Sequence, residues 1–409
     1  MARPSVNISQ SNGNLGRIAP LEDGISAIVV SGVAVSGQFA LNDVLGPFFS
    51  LADAENVGIT EAYDSTNTTV AHKHIKDFYD AAGNGTELYV MVVAKTLAMA
   101  DVCDKTLDYL SKLLRTAQGK VRLVAVCRTP QTGYTPMYAN QLDTDIVSAI
   151  TKAQELFEDE FLKHRPVQIL IEARDFQGNI SSMLDLRDPA LGPNANRVSL
   201  VISQDADYAA NNAFASKMAF AGYVLGKLAG IPVQRNIGRV KSGAIGITNI
   251  ALSNGVNYNT LTDTQINTLH DKGYIFALKH SGKAGFFFND DPTACPITDD
   301  YAFIGRGRVM DKASRITRQV FLNELNDDVE LNEETGKLDA AVIKSYQQKV
   351  EDEINRQMTS RREIVRVSCF VDPDQNVLST DKIDTEVNIL PKGYAKEINS
   401  VLAYENPLA

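Results

Sequence analysis

Near the C-terminus, hydrophobic residues recur every second position. Val365, Val367, Cys369 and Val371 interleave with Ile364, Arg366, Ser368 and Phe370. That period predicts a strand with the first set on its drier face. Asp372-Pro373-Asp374 stops it, because proline fixes φ and Asp bonds its own backbone in turns. A second strand follows, with Ile383, Thr385, Val387 and Ile389 on one face and Lys382, Asp384, Glu386 and Asn388 facing water. Pro391-Lys392-Gly393 ends it. Residues 397–404, EINSVLAY, are a third β-prone run with no later partner. Such a strand pairs elsewhere or remains an exposed edge.

Upstream the pattern alternates between helix and strand. Residues 1–20 are polar, apart from Val6 and Ile8 alternating with Asn7 and Ser9. Residues 25–35, ISAIVVSGVAV, form a buried strand pattern. A helix is expected over 47–57, and an amphipathic one over 69–82, where Val70, His74, Phe78 and Ala81 recur at helical spacing. Asn84-Gly85 ends it before the continuous apolar strand 86–94. A helix over 101–117, capped by Asp101 and closed by Gly119, leads to a strand at 121–127. Helix 142–164, strand 167–172, strand 198–203 and helix 208–228 continue the series. Fully apolar strands joined by helices imply a sheet covered on both faces; the pattern leaves open whether it is wholly parallel. Residues 275–278 and 285–288 look like paired strands. Two long helices are expected at 301–325 and 338–358, around an acidic loop at 326–337. Ala341, Tyr346, Val350 and Ile354 trace the buried face of the second.

The C-terminal series resembles the C-terminal domain of contractile tail sheath proteins, found in phages and related injection machines. The matching features are the long helix before Ser360, the strand at 363–371, and Asp372-x-x-x-Asn376. After them come the strand ending Ile389-Leu390-Pro391 and the Ala395-x-x-Ile398 run. The resemblance runs from Gly305 to the end, with the helix, glycine turn and valine-rich strand over 69–94 as a looser N-terminal match. It implies a mixed α/β fold: a sheath-type C-terminal α/β domain completed by N-terminal strands, with an inserted α/β domain and extended terminal arms. The corresponding division is an arm at 1–20, the N-terminal part of the sheath core domain at 21–96, and an inserted outer domain at 97–300. The C-terminal sheath domain spans 301–395 and a second arm spans 396–409.

The function so implied is structural and not enzymatic. Similar proteins polymerise as stacked hexameric rings around an inner tube and contract to drive it through a target envelope. Val6, Ile8, Glu397, Ile398, Val401, Leu402 and Tyr404 would form the inter-subunit arms. The implied partners are further copies of the chain, an inner tube protein, and baseplate and terminator proteins, with no nucleic acid and no membrane insertion. Assembly would occur in a host bacterial cytoplasm, and the product would be a phage tail or injection particle. Two other readings are an α/β enzyme acting on a nucleotide or sugar, and a non-contractile tube or shell protein.

Composition changes this picture little. At 409 residues with 44% hydrophobic and 22% charged residues, the chain is globular and long enough for two or three domains. A formal net charge of −10 disfavours nucleic-acid binding, which needs a basic surface. Cys103, Cys127, Cys295 and Cys369 lie far apart without CxxC spacing, and Cys127 and Cys369 sit in apolar runs as small hydrophobes. The start, MARPSVNISQ, lacks the apolar core of a signal peptide, and no apolar run is long enough to span a bilayer. An intracellular, reduced protein is expected.

No motif carries a cofactor, a metal or catalysis. Gly222-x-x-x-Gly226-Lys227-Leu228 is one residue short of a phosphate loop, and Leu228 replaces the Mg²⁺-binding hydroxyl. Close helix packing at the two glycines is the expected reading. Asp372-x-Asp374-x-Asn376 lacks the glycine and the final glutamate of a calcium loop, having Val377 and Ile383 there. His72 and His74 fall on different faces of a helix, and His164, His270 and His280 are scattered. One charge pattern stands out: Arg308, Lys312, Arg315 and Arg318 form a basic stripe on one helix face. With the resemblance, that stripe is expected to face an acidic inner tube.

Overall fold

The structure is a computed structural model, and it describes residues 22–405. The chain enters through strand β1 (Ser26–Gly32) and edge strand β2 (Val44–Phe48), then helices α1 (Leu51–Asn56), α2 (Glu61–Asn67) and α3 (Ala71–Ala82). Strand β3 (Leu88–Ala94), helices α4 (Met99–Cys103) and α5 (Leu110–Thr116), and strand β4 (Leu123–Cys127) follow. A short ribbon of β5 (Tyr138–Ala139) and β6 (Leu142–Asp143) precedes α6 (Thr144–Leu162) and β7 (Gln168–Glu172). Then come β8 (Val198–Val201), β9 (Ser203–Asp205), α7 (Ala206–Asn211), α8 (Ala221–Ala229), β10 (Ile250–Leu252) and α9 (Asp263–Asp271). The ribbon of β11 (Ala277–Leu278) and β12 (Phe287–Phe288) leads to α10 (Ile304–Leu322). The last elements are α11 (Ala340–Ile354), β13 (Ile364–Val371), α12 (Val377–Thr380) and β14 (Thr385–Pro391).

The central sheet has six strands in the order β2-β3-β1-β4-β7-β8. Five run parallel, and β2 is antiparallel to β3 at one edge. The sheet is therefore mixed. Its strands are apolar throughout because both faces are covered. Side chains alternate between two cores, as the pleat requires. Ala27, Val29, Met91, Val124, Val126, Ile169 and Ile171 join one core with α4, α5 and α6. Ile28, Val30, Val90, Ala125, Leu170 and Cys127 join the other with α3 and α8.

Local chemistry sets the helix ends. Asp143 caps α6 by accepting from the Asp145 amide at 3.2 Å, and Thr262 and Gln265 form a reciprocal capping box on α9. The two glycines of α8 pack as the sequence predicts. A Cβ on Gly222 would lie 2.3 Å from the His74 carbonyl oxygen, and one on Gly226 would lie 2.2 Å from that of Phe78. Helix α8 thus rests on the backbone of α3.

Several sequence expectations are corrected. The helix over 101–117 is two helices, α4 and α5. Asp104 accepts from the Thr106 amide at 2.8 Å and from its hydroxyl at 2.6 Å, a local turn that competes with the helix. The helix over 208–228 is likewise α7 and α8. Between them the chain turns aside so that the Ala219 amide donates to Glu172 at 2.7 Å and the Phe220 amide to Ser203 at 2.8 Å. The boundary between 21–96 and 97–300 disappears. Strands from both segments share one sheet, with β1 lying between β3 and β4. The compact units are Met1–Lys312 and Ala313–Ala409, so the C-terminal boundary falls within α10.

In the second unit, Asp339 caps α11 by accepting from the Ala341 amide at 2.7 Å. Tyr346, Val350 and Ile354 form its buried face, whereas Ala341 is exposed. Strands β13 and β14 pair antiparallel, with a register irregularity between Ile364 and Arg366. That irregularity corrects the strand's face assignment. Val367, Cys369 and Val371 are buried as expected, but Ile364 replaces Val365 on the inner side. No helix of the described residues is long and apolar enough to cross a membrane.

Candidate functional site

The β13–β14 hairpin is an unfinished sheet. Among the described residues neither strand has a second neighbour. A two-stranded hairpin is marginal by itself in water, and α11 supports this one: Glu351 accepts from the Cys369 amide at 2.8 Å. In an antiparallel pair, alternate backbone groups point away from the partner. The outer edge of β14 therefore offers donors and acceptors to an incoming strand, whereas on β13 the Cys369 amide is already taken by Glu351. Apolar side chains lie in the open beside them. Val365 and Phe370 are each 53% exposed and Leu390 is 48% exposed.

The segment after β14 has the same character. The third β-prone run, 397–404, forms no strand here. Ile398 is 80% exposed, Val401 95%, Leu402 96% and Tyr404 fully so. Glu397 is also exposed and accepts from the Asn399 side chain at 3.0 Å. Four large apolar side chains without cover in their own chain are unusual, since burial of each contributes roughly 1.5–3 kcal/mol. In a strand, Ile398, Leu402 and Tyr404 would share one face. The other predicted arm residues, Val6 and Ile8, lie outside the described residues.

The basic stripe does not survive as a unit. Arg308 is only 4% exposed, and its guanidinium donates to the backbone carbonyls of Asp23 at 3.2 Å and Ile231 at 3.4 Å. Lys312 is 5% exposed and pairs with Asp23 at 2.7 Å. Both cations are spent inside the first unit, so the expectation that they face an inner tube is corrected. Arg315 is half-buried and Arg318 is exposed. Helical spacing located the shared face of these residues. It could not show that another segment covers half of it.

No sequence pattern signalled the buried ionic group around α3. Asp64 accepts from the His72 amide at 3.0 Å and the Lys73 amide at 2.9 Å at the start of the helix. Burial pushes its carboxyl up to about 7, against the pull of those amides. Burial disfavours the Lys73 charge, but Asp77 at 2.8 Å and Asp205 at 2.9 Å outweigh this and hold the ammonium charged. These contacts join α3 to the β9–α7 junction.

The model of the DUF2586 N-terminal domain matches residues 3–292, and that of the DUF2586 C-terminal domain matches residues 300–409. Comparison with curated proteins found no match. Among solved structures, the helical sheath of the anti-feeding prophage (AFP) in its contracted state superposes with a TM-score of 0.63 at 12% identity, covering 99% of this chain and 100% of that one. The PVC sheath complex of an extracellular contractile injection system, also contracted, gives 0.60 at 12% identity over 100% and 99% of the two chains. A chain of the AFP baseplate gives 0.59 at 12% identity over 99% and 100%. The likeness at these identities is one of fold, and it extends over the whole chain.

Proposed function

The chain belongs to the DUF2586 family, and from that premise and its fold we propose that it is the repeating subunit of a contractile sheath. The observation that carries this is the incomplete C-terminal hairpin next to an uncovered apolar segment. An open sheet edge and an unpaired strand are the two halves of strand addition. In a polymer, residues 397–404 of one copy would complete the hairpin sheet of a neighbour, with Ile398, Leu402 and Tyr404 buried at the joint. Each backbone hydrogen bond so formed contributes roughly 0.5–1.5 kcal/mol net. Ordering the arm costs about 1–2 kcal/mol per residue. One arm alone therefore binds weakly, and a closed ring with many arms binds firmly. Arms of this kind tether subunits whose bodies rotate and slide between a long and a short state.

The finer reading has stacked hexameric rings around an inner tube, with a baseplate at one end and a terminator at the other. It has assembly in a bacterial cytoplasm, and contraction that drives the tube through a target envelope. Val6 and Ile8 would supply a second arm. Arg315 and Arg318 remain the proposed tube-facing residues, now without Arg308 and Lys312. The full chain should form rings or tubes with a wide lumen in negative-stain images. A chain lacking residues 396–409 should melt at the same temperature and sediment as a monomer. Normal polymers from that truncation would refute the arm assignment, and discrete small oligomers from the full chain would refute the sheath reading.

A further inference from the structure

Helix α3 and the C-terminal ends of β4 and β7 bring together three groups that are distant in sequence. They are His74, Cys127 and Glu172. All three are buried, and their nitrogen, sulfur and oxygen atoms lie within 4.8 Å of one another. His74 Nε2 is 3.7 Å from Glu172 Oε1, too far for a hydrogen bond. Neither ring nitrogen of His74 has a hydrogen-bond partner, although the residue is fully buried. Burial without a partner is costly for a polar group, so the imidazole requires an explanation.

Glu172 presents the complementary problem. Its Oε2 accepts from the Arg128 amide at 2.9 Å, and its Oε1 from the Ala219 amide at 2.7 Å. Two backbone donors orient a carboxylate, and each oxygen keeps a lone pair directed elsewhere. A divalent cation would give the unpartnered imidazole, the thiol and the carboxylate a common acceptor for their lone pairs, since metal ligands bind deprotonated.

We propose that His74, Cys127 and Glu172 form a structural binding site for a single zinc ion. The charges balance: one thiolate, one carboxylate and a neutral imidazole offset Zn²⁺, which leaves the buried group neutral. The donors suit zinc, which takes Cys sulfur at about 2.3 Å and His nitrogen or carboxylate oxygen at about 2.0–2.2 Å. In a tetrahedral site those bonds place ligand atoms about 3.3–3.7 Å apart. For the nitrogen–oxygen pair the spacing is about 3.3–3.5 Å, and the His74–Glu172 distance of 3.7 Å lies just outside it. The widest separation in the cluster closes by about 1 Å, within the reach of side-chain rotation. The fourth position falls to a water or a backbone carbonyl. The ion would join α3 to the ends of two central strands, where the close approach of α8 at Gly222 already holds the His74 backbone. Because the site is closed, the metal enters as the chain folds.

The test uses the full chain, denatured and refolded with either zinc sulfate or EDTA, then desalted. Metal is counted by mass spectrometry, and cobalt replaces zinc in a parallel sample for absorption spectroscopy. The site predicts about one zinc per chain, a higher melting temperature than the EDTA-treated protein, and a thiolate-to-cobalt charge-transfer band. Cys127→Ser is near-isosteric. It should fold, as judged by circular dichroism, while losing that band and at least tenfold in zinc affinity. His74→Ala should lose stoichiometric zinc. Less than a tenth of an equivalent in the wild-type chain refolded with zinc would overturn the site. Full retention of zinc and of the band by Cys127→Ser would also overturn it, by placing the metal elsewhere.

Discussion

Gly226→Ala tests the architecture where it is tightest. The added Cβ would lie 2.2 Å from the Phe78 carbonyl oxygen and 2.9 Å from its carbonyl carbon. An ordinary carbon–oxygen contact is about 3.3 Å, so α8 must move about 1 Å away from α3. The obstacle is backbone, which has no rotamer to turn aside. A gap of 0.5–1 Å forfeits about a quarter to a half of the dispersion energy of each contact it opens. The contacts at stake include fully buried Phe78, Val224, Leu225 and Leu228. Overpacking of this kind costs about 1–3 kcal/mol, and the upper end applies here. Alanine returns about 1 kcal/mol in helix propensity. The net loss is about 2 kcal/mol, or about 2 °C in a chain of this size. Gly222→Ala should behave alike, and the double variant should lose less than the sum, because the first substitution already separates the helices. Thermal melts followed by circular dichroism measure the effect. Gly393→Ala, where an added Cβ meets nothing, serves as the control. A Gly226→Ala chain that melts at or above the wild type would show that α3 and α8 do not approach this closely.

Lys312→Ala should destabilise the first unit by about 3 kcal/mol, since it breaks a largely buried ion pair with Asp23, whereas Arg318→Ala should stay within about 0.5 kcal/mol; equal melting temperatures would contradict the burial of the stripe. The Asp64 carboxyl rises from 3.8 to about 7 on folding, so the folded chain holds more protons between those values. Its stabilising contribution, at most about 4 kcal/mol, is full below pH 3.8 and lost as pH rises through 7. Melting temperatures from pH 5 to 8 should therefore fall more steeply for wild type than for Asp64→Asn, and parallel slopes would remove the assignment. All four cysteines are buried and free, so a thiol reagent should label the native chain only as fast as it unfolds; rapid native labelling of any cysteine would contradict the packing around it.

Much of this protein is legible in one dimension. Strands β1, β3, β4 and β7 are unbroken apolar runs, and only a sheet covered on both faces buries such runs. The hairpin follows from period-two alternation around Asp372-Pro373-Asp374, and the strand-like character of the C-terminal segment from the β-prone run at 397–404. The two glycines of α8 were legible as packing positions because the phosphate-loop spacing fails by one residue. All of these are local patterns, fixed by neighbours along the chain.

What the sequence left undecided depends on contacts between distant segments. The basic stripe is a true helical face, yet Arg308 and Lys312 are claimed by Asp23 and Ile231, which no spacing rule connects to them. The breaks between α4 and α5 and between α7 and α8 arise where a side chain or a neighbouring strand outcompetes helix propensity for the backbone, as Glu172 does for the Ala219 amide. The antiparallel edge of the sheet, the placement of β1 between β3 and β4, and the meeting of His74, Cys127 and Glu172 are likewise properties of the folded chain. Periodicity reports which side of an element is apolar, but only the tertiary structure decides what comes to lie against that side. Burial and charge pairing, and with them the chemistry of a buried group, depend on that neighbour.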